Sequence, residues 1–217
     1  MQEIVKQIVL WSLPILVAVV LHEVAHGFVA YRLGDPTAAR AGRLTLNPLA
    51  HVDPLGTVII PLLLLVSQAG FVFGWAKPVP VNYGLLRNPR RDMVLVAAAG
   101  PLTNLVLALL FAGLFHAVHR SAIAPDGSQS AVFYPLAWMA VYAVRMNVFL
   151  GIFNLLPIPP LDGGRVVTGM LPLEWARVFA RIEPYGFLIL VLLLMTGTIG
   201  VFIGPPIHAL LGVLLNA

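Results

Sequence analysis

Cysteine is absent from the 217 residues. Disulfide bridges, thiolate metal ligands and a thiol nucleophile are therefore excluded. Charge is scarce as well, with 13 Lys/Arg and 9 Asp/Glu making up 10% of the chain, where a soluble domain carries about 25%. With 59% hydrophobic residues and a mean hydropathy of +0.93, there is too little polar surface to cover a water-soluble globule. A cytosolic enzyme and intrinsic disorder are excluded, and an integral membrane protein is expected. The net charge of +4 includes no Lys/Arg run of the kind that grips nucleic acid. No fixed-period repeat marks a helical array.

Long apolar runs fill the chain instead. They place spans at about 8–31, 93–119, 131–156 and 187–203, with a break at Gly204-Pro205-Pro206 and a short C-terminal helix over 205–217. At about 1.5 Å per residue the first run reaches about 36 Å, enough to cross a bilayer. A further apolar stretch, 55–73, is interrupted by Gly56, Pro61 and Gly70. Positive charge decides how it is threaded. Arg32, Arg40 and Arg43 precede it, Lys77, Arg87, Arg90 and Arg91 follow it, and Arg165, Arg177 and Arg181 follow the 131–156 span. If 55–73 crosses fully, 12 charges divide 8 and 4 between the two sides; if it enters and leaves on one side, they divide 10 and 2. The second division obeys the positive-inside rule, and broken backbone at membrane depth is tolerated when packed in protein. The expected fold is an all-α polytopic membrane protein. It has about four to six transmembrane helices, a re-entrant or β-like membrane-embedded segment, and residues 1–217 as one membrane domain with no appended soluble module.

The first span contains His22-Glu23-Val24-Ala25-His26. Residues four apart share a helix face, so both imidazoles can reach one ion. Glu23 stands one position round from His22, beside the place of a metal-bound water. Zinc favours such nitrogen ligands and lowers the pKa of its water towards about 7. Ionisable groups in a span cost a few kcal/mol, so three within five residues point to function. The third ligand lies elsewhere. His51, His116, His119 and His208 are available, but Asp162 in Asn154-Leu-Leu-Pro-Ile-Pro-Pro-Leu-Asp162-Gly163-Gly164 is favoured. Three prolines and two glycines oppose a regular helix there, and extended backbone can turn Asp162 inward. With 55–73 re-entrant, the first and 131–156 spans run parallel, and both motifs fall at the same, cytoplasmic, end. With 55–73 as a full crossing they fall at opposite faces.

HEVAH in an early span and NLLPIPPLDGGRV in a later one resemble the site-2 protease family of intramembrane zinc metalloproteases. So do Ala99-Gly100-Pro101-Leu102-Thr103-Asn104 and Gly74-Trp75-Ala76-Lys77-Pro78-Val79-Pro80-Val81-Asn82, and the likeness covers about residues 8–183. The resemblance implies His22, His26 and Asp162 as ligands of one Zn2+ per chain, and Glu23 as catalytic acid/base. It also implies Asn154 as a residue that orients substrate or the oxyanion. The compact prokaryotic type lacks the PDZ or CBS domain of many relatives. The implied partners are transmembrane protein or peptide substrates and the lipid bilayer, without nucleic acid, and the implied location is the cell membrane. Lys77–Asn82 then holds an unwound substrate as an added strand, or is an interfacial loop anchored by Trp75 and Lys77.

Other residues admit two readings. Asn104 and Asn147 are partners of the metal site or helix–helix hydrogen bonds. Gly100 and Ala97–Ala99 permit close helix approach. Arg145 snorkels or pairs, and His51 with Asp53 is read as a solvated loop rather than a metal contact. A metal transporter or non-proteolytic zinc-binding membrane protein is the competing function. It would spread ligands along a path and carry an internal repeat, whereas these ligands cluster at one depth.

Overall fold

The computed structural model describes residues 2–68, 74–123 and 127–216, with side chains from Leu10 onward. It is all-helical; among the described residues the one β-type pairing is an isolated bridge between Ile123 and Gln129. Among the described residues nine α-helices follow in order: α1 (Gln2–Arg32), α2 (Thr37–Arg40), α3 (Ile60–Val66), α4 (Pro89–Val118), α5 (Phe133–Asn154), α6 (Asp162–Met170), α7 (Leu173–Ala180), α8 (Glu183–Met195) and α9 (Thr198–Leu215). Among the described residues four have the length and apolarity to cross a membrane: Leu10–Arg32 within α1, Pro89–Ser121 from α4 onward, α5 and α9. Helices α7 and α8 form a further pair bent by 62°.

Named contacts fix the helix directions. Going back along α1 from His26 to His22 to Ala18, the partners on α4 advance from Val96 to Asn104. The two helices are antiparallel. Asn104 meets Asn147, and Gly151 lies against Pro101 and Leu105, so α5 is antiparallel to α4 and parallel to α1. The end of α1 and the start of α4 therefore lie at the same end of the bundle. Between them in the chain, a π-helical turn (Pro54–Ile59) leads into α3. Together these 13 residues rise about 20 Å, short of the about 30 Å hydrocarbon core. Part of the expected re-entrant stretch, residues 69–73, lies outside the described residues.

Two expectations are corrected. The C-terminal break falls at Gly197, whose φ of +70° reverses the chain between α8 and α9. The Gly204-Pro205-Pro206 run lies inside α9, since helices in apolar surroundings tolerate proline where neighbours pack around it. The long final span is thus α9, not 187–203. Ile199 and Ile203 pack beside Phe153 at one end of α5, and His116 bonds the Leu214 carbonyl at the other, so α9 runs back along α5. The second correction concerns the last residues of the 154–164 run, for which no regular helix was expected. Residues 155–161 form the turn, and Asp162 opens α6 with both glycines helical.

Candidate metal centre

His22 and His26 project from α1 towards α4 at Gly100. A Cβ at Gly100 would collide with the His26 ring and stand 2.7 Å from Nε2 of His22. Glycine there makes room for two imidazoles between helices, a more specific role than general close approach. Asp162 comes from the first position of α6 and is buried. Its neighbour Gly163 presses on the Leu155 and Leu156 carbonyls, where any side chain would clash. Small size at 163 thus folds the turn back and points Asp162 inward.

The three side chains converge. Nε2 of His22 lies 3.1 Å and Nε2 of His26 3.2 Å from Oδ2 of Asp162, and the two Nε2 atoms are 3.1 Å apart. Three ligands on a tetrahedral ion with bonds of about 2.0–2.1 Å stand about 3.3–3.4 Å from each other, so this triangle fits such an ion closely.

The protons support the same conclusion. Nδ1 of His26 lies 2.7 Å from the Val96 carbonyl, which can only accept, so Nδ1 donates. Nδ1 of His22 lies 2.6 Å from Oδ1 of Asn104. The Asn104 amide nitrogen is committed to the Ala18 carbonyl at 3.1 Å and Oδ1 of Asn147 at 2.8 Å, which turns its oxygen to His22. Asn147 in turn donates to the Ala143 carbonyl at 2.9 Å. Each ring therefore uses Nδ1 to donate, and both Nε2 atoms face Oδ2 of Asp162, an oxygen buried with no hydrogen-bond partner. With Nδ1 engaged elsewhere, Nε2 is the atom each ring can offer to an ion shared with Asp162.

Asn104 and Asn147 are wholly buried. They join α1, α4 and α5, and Asn104 also holds the His22 ring. His51 is buried and bonds the Thr45 carbonyl, so the solvated loop expected there is corrected. It stands apart from the triangle, as do His116, His119 and His208. Arg145 is exposed on the outer face of α5.

Glu23 borders the triangle, and its Oε2 accepts the Val79 N–H at 2.8 Å. The segment Trp75–Asn82 that supplies this amide is pinned along its length. The Trp75 amide donates to the Gly56 carbonyl, the Lys77 amide to the His51 carbonyl, and Arg43 to the Lys77 carbonyl. Where the segment ends, the Asn82 amide donates to Oδ2 of Asp35 at 2.7 Å. Burial acts to raise the Asp35 carboxyl, but the Thr37 hydroxyl and the Asn82 and Thr37 amides outweigh it and, with Arg40, hold it below its ordinary value. The segment forms neither a helix nor a paired strand.

A cavity of about 660 Å³ opens over the triangle. Glu23, Trp75, Val79, Asn154, Arg165 and Phe187 are among its lining residues. Asn154 is half-buried in that wall, its amide donating to the Leu150 carbonyl at 3.1 Å. Gly100, the Val96 carbonyl, the Val79 amide and Arg165 escaped the sequence reading as parts of the site. Two of these contributions are backbone atoms, which no residue type betrays, and Arg165 counted there only as a topological charge.

Comparison with known proteins agrees with this architecture. The family described as Peptidase family M50 matches over residues 113–197, which include Asp162 but not the paired histidines. A Bacillus subtilis protein named "Putative zinc metalloprotease YwhC" is 38% identical over 202 residues, 91% of this chain and 85% of its own. "Putative zinc metalloprotease Rip2" of Mycolicibacterium smegmatis is 36% identical over 83% of this chain and 64% of its own length. "Putative zinc metalloprotease MJ0611" of Methanocaldococcus jannaschii is 33% identical over 71% of each. No solved structure matches the chain.

Proposed function

The chain belongs to peptidase family M50, the site-2 proteases, and we propose that it is a zinc metalloprotease cutting within transmembrane segments of other membrane proteins, the chemistry of regulated intramembrane proteolysis. The observation that carries this reading is the buried triangle of His22, His26 and Asp162 beside Glu23, at one end of a multi-pass bundle. Two imidazoles and one carboxylate are a donor set suited to zinc, and they leave a fourth position for water or substrate. One ion per chain satisfies all three ligands. When bound, zinc acts as a Lewis acid and eases loss of a proton from water.

The remaining steps belong to the protein. Glu23 accepts a proton at the oxygen that Val79 leaves unbonded and returns it to the departing amine. The Val79 amide fixes that carboxylate. Asn154, on the cavity wall, orients the substrate backbone through its amide. A helical substrate hides its carbonyls in i to i−4 bonds and must unwind first. It then lies along Trp75–Asn82, where Pro78 and Pro80 have no N–H; a guest strand is held mainly by donating to the segment's carbonyls.

The end of the bundle bearing the site also carries the loop and helix residues Arg32 to Arg91 and Arg165 to Arg181. By the positive-inside rule that end is cytoplasmic and the protein sits in the cell membrane. Detergent-purified protein incubated with a panel of transmembrane peptides tests the reading. Cleavage that a zinc chelator stops, that returns with zinc, and that Glu23→Gln lacks is the expected result. Zinc flux into liposomes with no cleavage would move the same ligands to transport.

A further inference from the structure

Arg165 stands one helical turn beyond Asp162 on α6, so the two side chains share a helix face. It lines the cavity and is half-buried. Its guanidinium carbon lies 5.8 Å from the centre of the Tyr83 ring, a cation–π contact that aims the group without neutralising it. Among the described residues no carboxylate lies within 4.0 Å of it; the ion-pair contacts are those of Asp162 with the two histidines. Glu183, the other carboxylate near Tyr83, is exposed and outside the cavity wall.

The other charged groups lining the cavity are Glu23 and Asp162. With both ionised, a bound dication leaves the centre neutral, and Arg165 gives the cavity one net positive charge. Fields act strongly where water is scarce and the walls are apolar. A guanidinium there offers a planar fork of donors matched to a carboxylate.

We propose that Arg165 is a specificity-determining residue that receives a carboxylate of the substrate close to the scissile bond. This rests on the proteolytic reading of the same site. The carboxylate is either an Asp or Glu side chain in the segment being cut or the free C-terminus left by an earlier cut.

Matched transmembrane peptides test it. One pair carries an Asp or Glu near the scissile bond or its Asn or Gln isostere; the other ends in a free or an amidated C-terminus. The expected result is that wild-type protein favours one carboxylate form over its neutral twin by about tenfold in kcat/KM. Arg165→Gln brings that ratio to about one, and Arg165→Lys keeps part of it. The pair that shows the preference identifies the source. Binding of fluorescent versions of the peptides to zinc-loaded Glu23→Gln protein reads the same preference without turnover. Protein that cleaves nothing yet binds carboxylate peptides through Arg165 refutes the proteolytic reading and keeps the carboxylate site. Equal handling of both members of each pair, or a preference that survives Arg165→Gln, overturns the proposal.

Discussion

At one end of the bundle the helices meet through polar side chains, and at the other through methyl groups. Helices α1, α4 and α5 are joined beside the metal centre by the chain His22–Asn104–Asn147, all buried. Where α9 lies against α4 and α5, the contact is made by Ala108, Ala112, Val144 and Val148 with Ile207, Leu211 and Leu214. An apolar contact asks only for volume, and lipid itself can replace it. A hydrogen-bonded contact in hydrocarbon asks for a particular partner, because nothing nearby can substitute for it. The polar end therefore carries function and tolerates little change, while the methyl end holds the scaffold and tolerates repacking.

The largest effect that would sharpen this contrast is at Glu23. Glu23→Gln should lower peptide turnover by about 10²–10⁴-fold, while zinc content measured by mass spectrometry stays at one ion per chain. Next comes Asn104→Ala, which strips His22 of its acceptor and leaves Asn147 without its donor. Zinc affinity or activity should fall by about 10–100-fold, read by competition with a chromophoric chelator. An unchanged affinity would reduce Asn104 to a helix–helix contact. Gly100→Ala should also weaken zinc binding, by forcing a methyl group into the imidazoles; normal affinity would break the claim that glycine makes their room.

A smaller effect belongs to Asp35, which ties the end of the Trp75–Asn82 segment to the loop after α1. Its carboxyl sits below the ordinary value in the folded state. Its contribution is therefore full above the unfolded value of about 3.9 and is lost as pH falls from there through the lowered folded value. Thermal unfolding in detergent should weaken over that range in the wild type, and Asp35→Asn should lack that increment. The smallest effect is at the methyl end. Ile207→Val, in the contact with Ala108, Ala112, Val144 and Val148, should cost no more than about 0.5–1.5 kcal/mol in stability and leave zinc binding untouched. A loss of zinc from this variant would dissolve the distinction between the two ends.

The paired histidines and Glu23 were legible because a spacing of four on a helix leaves one geometry. The shared end of the two motifs was legible from charge, since arginines sort by side. Asp162 was picked out, but its backbone was misread. Two glycines after an aspartate suggest flexible turn, whereas here Gly163 serves by being small enough to touch the Leu155 and Leu156 carbonyls inside a helix. The Gly204-Pro205-Pro206 run misled for a related reason. Proline ends helices in water, where the freed carbonyls are solvated, while a helix packed among helices can keep its course. Asn104 and Asn147 could not be resolved from sequence because a buried amide mid-span looks alike whether it joins helices or supports a ligand. Val79 and Val96 act through main-chain atoms and leave no trace in residue identity.

Zinc K-edge X-ray absorption on the purified protein tests most directly whether one ion sits among His22, His26 and Asp162. The expected spectrum shows two imidazole nitrogens and oxygen ligands at about 2.0–2.2 Å, with one nitrogen shell contribution lost in His22→Ala and in His26→Ala. A spectrum without imidazole scattering, or one that neither substitution alters, would contradict it.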